Sequence, residues 1–267
     1  VARCGACHGT RQTEEGGNAV IKAVLFDLDD TLLDINLSAF MARYLSGRCR
    51  LLAYATRTPL PKVVWAQGRS YLDVDRGDRQ DALTNEQFMA ARMAELCGIP
   101  LGEPALADAL AFFDAIYIER LRGGLVQARP RAGARRTIEI AQSLGLAVAL
   151  ATQPVFSLET DLVRMRWAEV DDIDFRLVSH AGNSTRTKPN AHYYQEFCCT
   201  LGLTPQECLM VGNDAGRDFA RPDCGLRTAY VGHGLPGKGV FRGSIRELGD
   251  HLPELVAKLN AEDAAGT

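Results

Sequence analysis

The sequence predicts an α/β fold: a doubly wound parallel sheet with an all-helical domain inserted into it. Three observations support this prediction. Short apolar runs that end at turns recur along most of the chain, as is typical of strands buried on both faces. Helix-like patterns separate these runs, which is the alternation expected of a parallel sheet covered on both sides. One long stretch, residues 35 to 128, has helical patterns and no convincing strand.

Five segments are expected to form the strands of the sheet. They are VIKAVLFD at 20–27, GLAVALATQ at 145–153, DFRLVSH at 174–180, CLMVGND at 208–214 and LRTAYVGH at 226–233. Helical patterns lie between them, for example LETDLVRMRWAEV after the second strand and NAHYYQEFCCTLG before the fourth. In the second of these segments, the pairs Tyr193-Tyr194 and Cys198-Cys199 fit a buried helix face better than a ligand site.

The stretch without strands contains three amphipathic patterns, and Thr84 with Asn85 is a typical start for the second of them. Because this stretch follows an acidic loop directly, we expect it to form a small domain over that loop. The predicted boundaries are 20–34 and 129–255 for the sheet domain, 35–128 for the helical cap, 1–19 for a disordered extension and 256–267 for a C-terminal tail.

The composition argues against several classes of function. The 267 residues are 46% hydrophobic and 24% charged, and the formal charge of -3 leaves no basic stripe for nucleic acid. No apolar run is long enough to cross a bilayer, so we expect no membrane partner. The N-terminal residues lack a basic-then-apolar signal sequence, which predicts a cytoplasmic protein, and the scattered cysteines are expected to be reduced core thiols.

One cysteine motif stands apart from the others. Cys4, Cys7 and His8 spell C-x-x-C-H, which is the pattern of c-type haem attachment. Haem attachment normally belongs to exported proteins, and a zinc site would need two more ligands nearby. We therefore interpret the motif as part of the disordered extension.

Polar residues gather where the predicted strands end. The carboxyl ends of parallel strands meet at one edge of a sheet, and ligands bind there. We therefore expect these side chains to lie close together. In chain order they are Asp27, Asp29, Thr152, Gln153, Lys188, Asn213, Asp214 and Asp218.

These residue types suit phosphoryl transfer with Mg²⁺. Clustered carboxylates repel one another unless a cation lies between them, and Mg²⁺ is a hard cation that prefers oxygen ligands. The metal, an amine and a hydroxyl can neutralise and orient a phosphoryl group. One carboxylate can then attack phosphorus, while a second protonates the leaving alcohol and later deprotonates water. The pattern predicts an aspartyl-phosphate intermediate and a small phosphorylated substrate.

The segments DLDDTLL, LAT, KPN and VGNDAGRD, in this order and spacing, resemble the four motifs of the haloacid dehalogenase-like (HAD) hydrolase superfamily. The resemblance covers about residues 20 to 255, and ALATQPVF and TKPNAHYYQEF further resemble a bacterial, phosphatase-like branch. It implies a Rossmann-like core with a helical cap. The residues that it implies are Asp27, Asp29, Thr152 and Lys188 for catalysis, Thr152, Gln153 and Lys188 for phosphate, and Asp27, Asp29, Asp214 and Asp218 for the metal.

The resemblance also implies individual roles. Asp27 would be the nucleophile and a metal ligand, and Asp29 the acid/base, with its backbone carbonyl on the metal. Asp218 would support the metal site or Lys188. Gln153 departs from the Asn that is frequent in this branch, and Asn213 replaces a residue that is acidic in many members.

Four functions stay open at the level of the sequence. A Mg²⁺-dependent phosphatase fits best, and a phosphosugar mutase of the same fold shares the two aspartates of the first motif. A haloacid dehalogenase needs no metal and generally lacks the second aspartate, so Asp29 and Asp214 argue against it. A non-catalytic binding module is disfavoured because no catalytic position is missing. The identity of the substrate depends on the cap, where the resemblance is weakest.

Overall fold

The computed structural model describes residues 20–76, 79–234 and 238–265. The predicted N-terminal extension, with its C-x-x-C-H motif, lies outside the described residues. The strands are β1 (Ala23–Phe26), β2 (Leu33–Asp34), β3 (Arg129–Pro130), β4 (Ala147–Leu150), β5 (Cys208–Gly212), β6 (Arg227–Tyr230) and β7 (Phe241–Arg242). The α-helices are α1 (Leu37–Thr56), α2 (Leu60–Val74), α3 (Asn85–Cys97), α4 (Pro104–Phe112), α5 (Ala134–Ser143), α6 (Leu158–Trp167), α7 (Ala191–Thr200) and α8 (Ile245–Ala265).

Five strands form a parallel sheet in the order β4-β1-β5-β6-β7. Alternate residues of β1 point to opposite faces, since Val24 and Phe26 belong to one buried cluster and Leu25 to another. Helices α5, α6 and α8 supply side chains to the first cluster, and α7 supplies Tyr193 and Phe197 to the second. The predicted α/β class, a doubly wound parallel sheet, is confirmed.

The register of the central strands determines where the site lies. Phe26, the last residue of β1, pairs with Leu150 of β4 on one side and with Val211 of β5 on the other. The strands therefore end nearly level, and the residues that follow them come out at one edge of the sheet. This is the edge at which the sequence predicted a site.

Some elements differ from the prediction. The segment 174–180 runs beside β4 with three backbone hydrogen bonds, but its only regular pairing is the bridge of Val178 to Leu150, so it is not a full strand. The sequence did not suggest β7, a two-residue strand at the edge of the sheet. Residues 256 to 265, which we expected to be a tail, continue α8 and bury Leu259 in the core.

Helices α1 to α4, followed by a π-helical turn (Phe113–Tyr117) and a 3₁₀ turn (Ile118–Leu121), form the helical insert. Its described residues contain no strand between β2 and β3, and these two short strands pair antiparallel where the chain leaves and re-enters the sheet domain. The insert has a hydrophobic cluster of its own, which includes Leu52, Val63 and Met93. No described helix combines the length and the apolar character needed to cross a membrane.

Candidate active site

A cavity of about 400 Å³ lies between the carboxyl edge of the sheet and the helical insert. All seven predicted site residues line it: Asp27, Asp29, Thr152, Gln153, Lys188, Asp214 and Asp218. The insert supplies an apolar wall from α1 and α2, made by Leu37, Met41, Tyr71 and Leu72. A larger cavity of about 740 Å³ lies beside Phe219 and Arg221 and includes none of the seven. We therefore take the smaller cavity as the candidate site.

Lys188 links two carboxylates at the floor of the cavity. Its Nζ donates to Oδ1 of Asp27 and to Oδ1 of Asp218, each at 2.7 Å, and only 1% of its side chain is exposed. Burial alone would lower the pKa of Lys188, but the two carboxylates raise it above the ordinary value, so that the amine is charged. Burial raises the pKa of Asp27 against the opposing effect of Lys188, and raises that of Asp218 to about 6.

Asp218 is held by protein donors at both oxygens. Its Oδ1 accepts from Lys188, and its Oδ2 accepts from the backbone N–H of Asp214 at 2.8 Å. With both oxygens occupied, Asp218 is suited to hold Lys188 and the Asp214 loop in place. Of the two roles expected for this residue, the geometry favours support of Lys188 over direct ligation of a metal.

Asp29 lines the cavity and also belongs to a second charged cluster. One of its oxygens, Oδ2, accepts from Nη1 of Arg164 on α6, whose Nη2 also donates to Asp161. The side chains of Arg164 and Asp161 are fully buried. Burial raises the pKa of Asp161 to about 7, whereas the two carboxylates raise the pKa of Arg164 despite its burial. No local pattern in the sequence indicates this cluster.

The remaining oxygens at the floor of the cavity fit a hard cation. Oδ2 of Asp27 accepts a long bond of 3.3 Å from the Thr31 hydroxyl. The exposed carboxylate of Asp214 lines the same cavity with Asn213, and its Oδ1 accepts from the backbone N–H of Gly216 at 2.7 Å. Among the residues that the structure describes, no group of three or more His, Cys, Asp or Glu side chains is placed to hold a metal. Mg²⁺ does not require such a group, because it is bound by one or two carboxylates together with water and substrate phosphate.

Thr152 and Gln153 follow β4 at the edge of the cavity. The carbonyl oxygen of Thr152 accepts from the Ser179 and Tyr193 hydroxyls at 2.9 and 3.0 Å, which fixes the backbone here. The Gln153 amide oxygen accepts from the backbone N–H of Lys188 at 3.1 Å, and its amide nitrogen donates to Asp75 at 2.8 Å. Gln153 therefore lines the cavity and also connects the end of β4 to the insert through its hydrogen bond with Asp75.

Asp75, just after α2, is a site residue that the sequence did not suggest. Its carboxylate accepts from Gln153, from the Thr187 hydroxyl at 3.0 Å and from both terminal nitrogens of Arg217 at 3.2 and 3.3 Å. All three partners belong to the sheet domain, so Asp75 fastens the insert to the rim of the cavity. A single acidic residue near a helix end has no local pattern that would indicate this role.

The sheet edge, the clustered carboxylates and the buried lysine form one polar cavity beneath a helical insert in an α/β protein. A family model described as haloacid dehalogenase-like hydrolase matches residues 21–219. The chain belongs to the haloacid dehalogenase-like hydrolases, and the predictions of the family and of a hydrolase are confirmed.

Curated relatives agree with this assignment, and a solved structure agrees with the fold. The chain is 28% identical to an N-acetylmuramic acid 6-phosphate phosphatase of Pseudomonas aeruginosa over 90% of its length and 95% of the relative. It is 29% identical to a phosphoserine phosphatase of Thermus thermophilus over 80% of its length and 90% of the relative. Its fold is similar to that of a HAD phosphatase from Thermococcus onnurineus, with a TM-score of 0.53 at 17% identity, over 87% of this chain and 98% of that one.

Proposed function

We propose that this protein is a Mg²⁺-dependent phosphatase that hydrolyses a small phosphate monoester through an aspartyl-phosphate on Asp27. The observation that carries the proposal is the ion pair of Lys188 with Asp27 in the cavity that Asp29 and Asp214 also line. The names of both curated relatives support it, because each acts on a phosphorylated small molecule. The substrates of the two relatives differ. We propose that the residues of the insert that line the cavity, from α1 and α2, determine which substrate this chain accepts.

In the proposed reaction, Lys188 holds Asp27 in place, and a carboxylate oxygen of Asp27 attacks phosphorus. As the new bond forms, the bond between phosphorus and the alcohol oxygen breaks, its electron pair stays on that oxygen, and Asp29 supplies the proton. Water then attacks phosphorus, Asp29 takes a proton from the water, and the bond to Asp27 breaks to release phosphate. The Thr152 hydroxyl and Gln153 would contact the phosphoryl oxygens.

Asp27 and Asp214 would hold the Mg²⁺ through their side chains and Asp29 through its backbone carbonyl. When bound, the metal would neutralise charge on the phosphoryl oxygens and align phosphorus with Asp27. The described cysteines Cys49, Cys97, Cys198, Cys199, Cys208 and Cys224 are all free thiols, which supports a reducing compartment, and we propose the cytoplasm.

The test is turnover of a panel of phosphate monoesters by the purified full chain, with Mg²⁺ and after its removal by EDTA. We expect release of phosphate that is lost with EDTA and restored by added Mg²⁺. Asp27→Asn keeps the shape of the side chain but removes the nucleophile, so activity should fall by a factor on the order of 1,000 or more. Asp34→Asn is the matched control, because Asp34 lies outside the cavity and pairs with Arg129.

Activity of Asp27→Asn close to that of the unmodified protein would contradict covalent catalysis at Asp27. Release of halide from a haloacid by the metal-free protein, with no release of phosphate from any monoester, would instead identify a dehalogenase.

A further inference from the structure

Arg164 is a charged residue that the proposed reaction does not yet use. It lies on α6, fully buried, and its guanidinium stacks 4.4 Å from the centre of the Phe156 ring. Its two terminal nitrogens divide between Asp29 and Asp161. A buried cation of this kind costs several kcal/mol in desolvation, and hydrophobic side chains of similar size often stabilise a fold equally well. Its contact with Asp29 suggests a role in the reaction.

The two oxygens of Asp29 are in different situations. Oδ2 accepts from Arg164, whereas Oδ1 is buried and has no hydrogen-bond partner within the described part of the chain. A buried carboxylate oxygen without a hydrogen-bond partner costs free energy, so its presence in a folded protein calls for an explanation. One explanation is a ligand group that pairs with the oxygen during function. Asp29 lines the cavity together with Asp27, so a substrate oxygen attached to phosphorus is the natural candidate for that group.

We propose that Arg164 is a positioning residue for Asp29. It fixes Oδ2 and thereby leaves Oδ1 as the oxygen that would exchange a proton with the oxygen that leaves phosphorus. Asp161 in turn fixes the other end of the guanidinium. This inference rests on the proposed phosphatase function and on the acid/base role of Asp29. In the first step, the bond between phosphorus and the alcohol oxygen breaks and the electron pair goes to that oxygen. The proton held on Oδ1 of Asp29 then neutralises it.

The positioning role predicts that loss of Arg164 affects two kinds of substrate differently, according to whether the leaving group needs a proton. The nitrophenolate of p-nitrophenyl phosphate leaves without needing a proton, whereas an alkyl alcohol, as in glycerol phosphate, leaves poorly unless it is protonated. The constant kcat/KM includes transfer of phosphorus to Asp27 but not the later attack by water, so it isolates the step in which Asp29 is the acid. A purely structural role for Arg164 would lower kcat/KM for both substrates alike.

The experiment measures kcat/KM of Arg164→Gln for glycerol phosphate and for p-nitrophenyl phosphate. Since general acid catalysis is worth about 10²- to 10⁴-fold, we expect a loss of about 100-fold or more with glycerol phosphate. With p-nitrophenyl phosphate we expect a loss of less than about tenfold, because that leaving group needs little protonation. Arg164→Lys, which keeps a donor and the charge, should recover part of the activity on glycerol phosphate. Arg166→Gln is the matched control, since Arg166 lies two residues away on the same helix and pairs with exposed Glu119.

Arg164→Gln leaves the carboxylates of Asp29 and fully buried Asp161 without their shared cation, and the variant risks failing to fold. The variant with both Arg164→Gln and Asp161→Asn removes one positive and one negative charge, and we expect the same difference between substrates in it. Equal losses on the two substrates in a folded variant would overturn the positioning role while leaving the phosphatase function intact. If the unmodified protein hydrolysed neither these two nor any monoester of the panel, the proposed function would fail and this role with it.

Discussion

At Lys188 a single ammonium group takes part in two buried ion pairs, with Asp27 and with Asp218. Each carboxylate by itself would be costly to bury in its charged form, and the pair would repel each other. The lysine offsets both effects and also fixes where Asp27 lies. The stability of the sheet edge and the geometry of the proposed nucleophile therefore depend on the same atom, Nζ of Lys188.

Replacing Lys188 with Met tests this dependence. Breaking a buried ion pair typically costs about 3 to 5 kcal/mol, because the remaining carboxylates lose their partner. We expect the free energy of unfolding to fall by about 3 kcal/mol and turnover to fall at least about 100-fold. Urea denaturation and phosphate release measure the two effects.

Lys22→Met is the control for Lys188→Met. Lys22 is exposed and its ion pair with Glu207 lies at the surface, where such pairs contribute at most about 1 kcal/mol. Full stability and turnover in Lys188→Met would show that the two carboxylates do not need the amine, and would contradict this account of the site.

At the scale of elements, the sequence predicts the strand ends well because the information is local. Asp27 follows a short apolar run directly, and so do Thr152 and Asn213, so the motif and the end of the strand coincide in the sequence. Parallel pairing then brings these residues to one edge, as the register of Phe26 demonstrates. For this reason all seven predicted residues line one cavity.

The residues that the sequence does not reveal come from helices. Arg164 and Asp161 lie within the amphipathic pattern of α6, and Asp75 comes just after α2. A helical period indicates that one face is buried, but it does not indicate which distant carboxylate or amide that face will contact. Apart from Asp161, which is the near neighbour of Arg164, the partners named above for Asp75 and Arg164 are 78 or more positions away along the chain, so only the tertiary structure reveals them.

Gly212, the last residue of β5, shows how one strand end constrains the site. A Cβ atom built on Gly212 would overlap the Asp218 carboxylate, which lies directly over it. We expect Gly212→Ala to push Asp218 away from Lys188 and from the backbone N–H of Asp214. Overpacking of this kind costs about 1 to 3 kcal/mol, and a misplacement of about 1 Å near the chemistry lowers turnover about 100-fold.

Gly68→Ala serves as the control, since a Cβ at Gly68 has nothing within 4 Å and Ala is favoured over Gly inside a helix by about 1 kcal/mol. We therefore expect Gly68→Ala to raise the midpoint of thermal unfolding or leave it unchanged, with unchanged turnover, and Gly212→Ala to lower both. Unchanged turnover of Gly212→Ala would mean that Asp218 is not needed in its present place.

At the scale of the whole molecule, the net charge of -3 conceals an uneven distribution of charge. Most ion pairs lie at the surface, but Arg164 and Asp161 are fully buried and pair with Asp29, which is partly exposed. Two carboxylates share one cation there, and Oδ2 of Asp161 is buried without a partner in the described residues. The stability of the molecule should therefore depend on pH through Asp161.

The sign of this dependence follows from the pKa of Asp161, which burial raises from 3.8 in a free side chain to about 7. Between these two values the folded protein binds more protons than the unfolded chain, so stability falls as the pH rises. The contribution of Asp161 is complete below about pH 4 and is lost as the pH passes through about 7.

Asp161→Asn removes this titration. We expect the free energy of unfolding of Asp161→Asn, relative to that of the unmodified protein, to increase between about pH 5 and about pH 7 with a slope of up to about 1 kcal/mol per pH unit. Urea denaturation at several pH values measures it. Asp172→Asn is the control, because hydrogen bonds from Arg135 lower the pKa of Asp172, whose contribution is therefore lost only at more acidic pH. Its difference from the unmodified protein should be flat over the same range. A flat difference for Asp161→Asn as well would mean that Arg164 keeps Asp161 ionised throughout, and that burial does not govern the charge of this cluster.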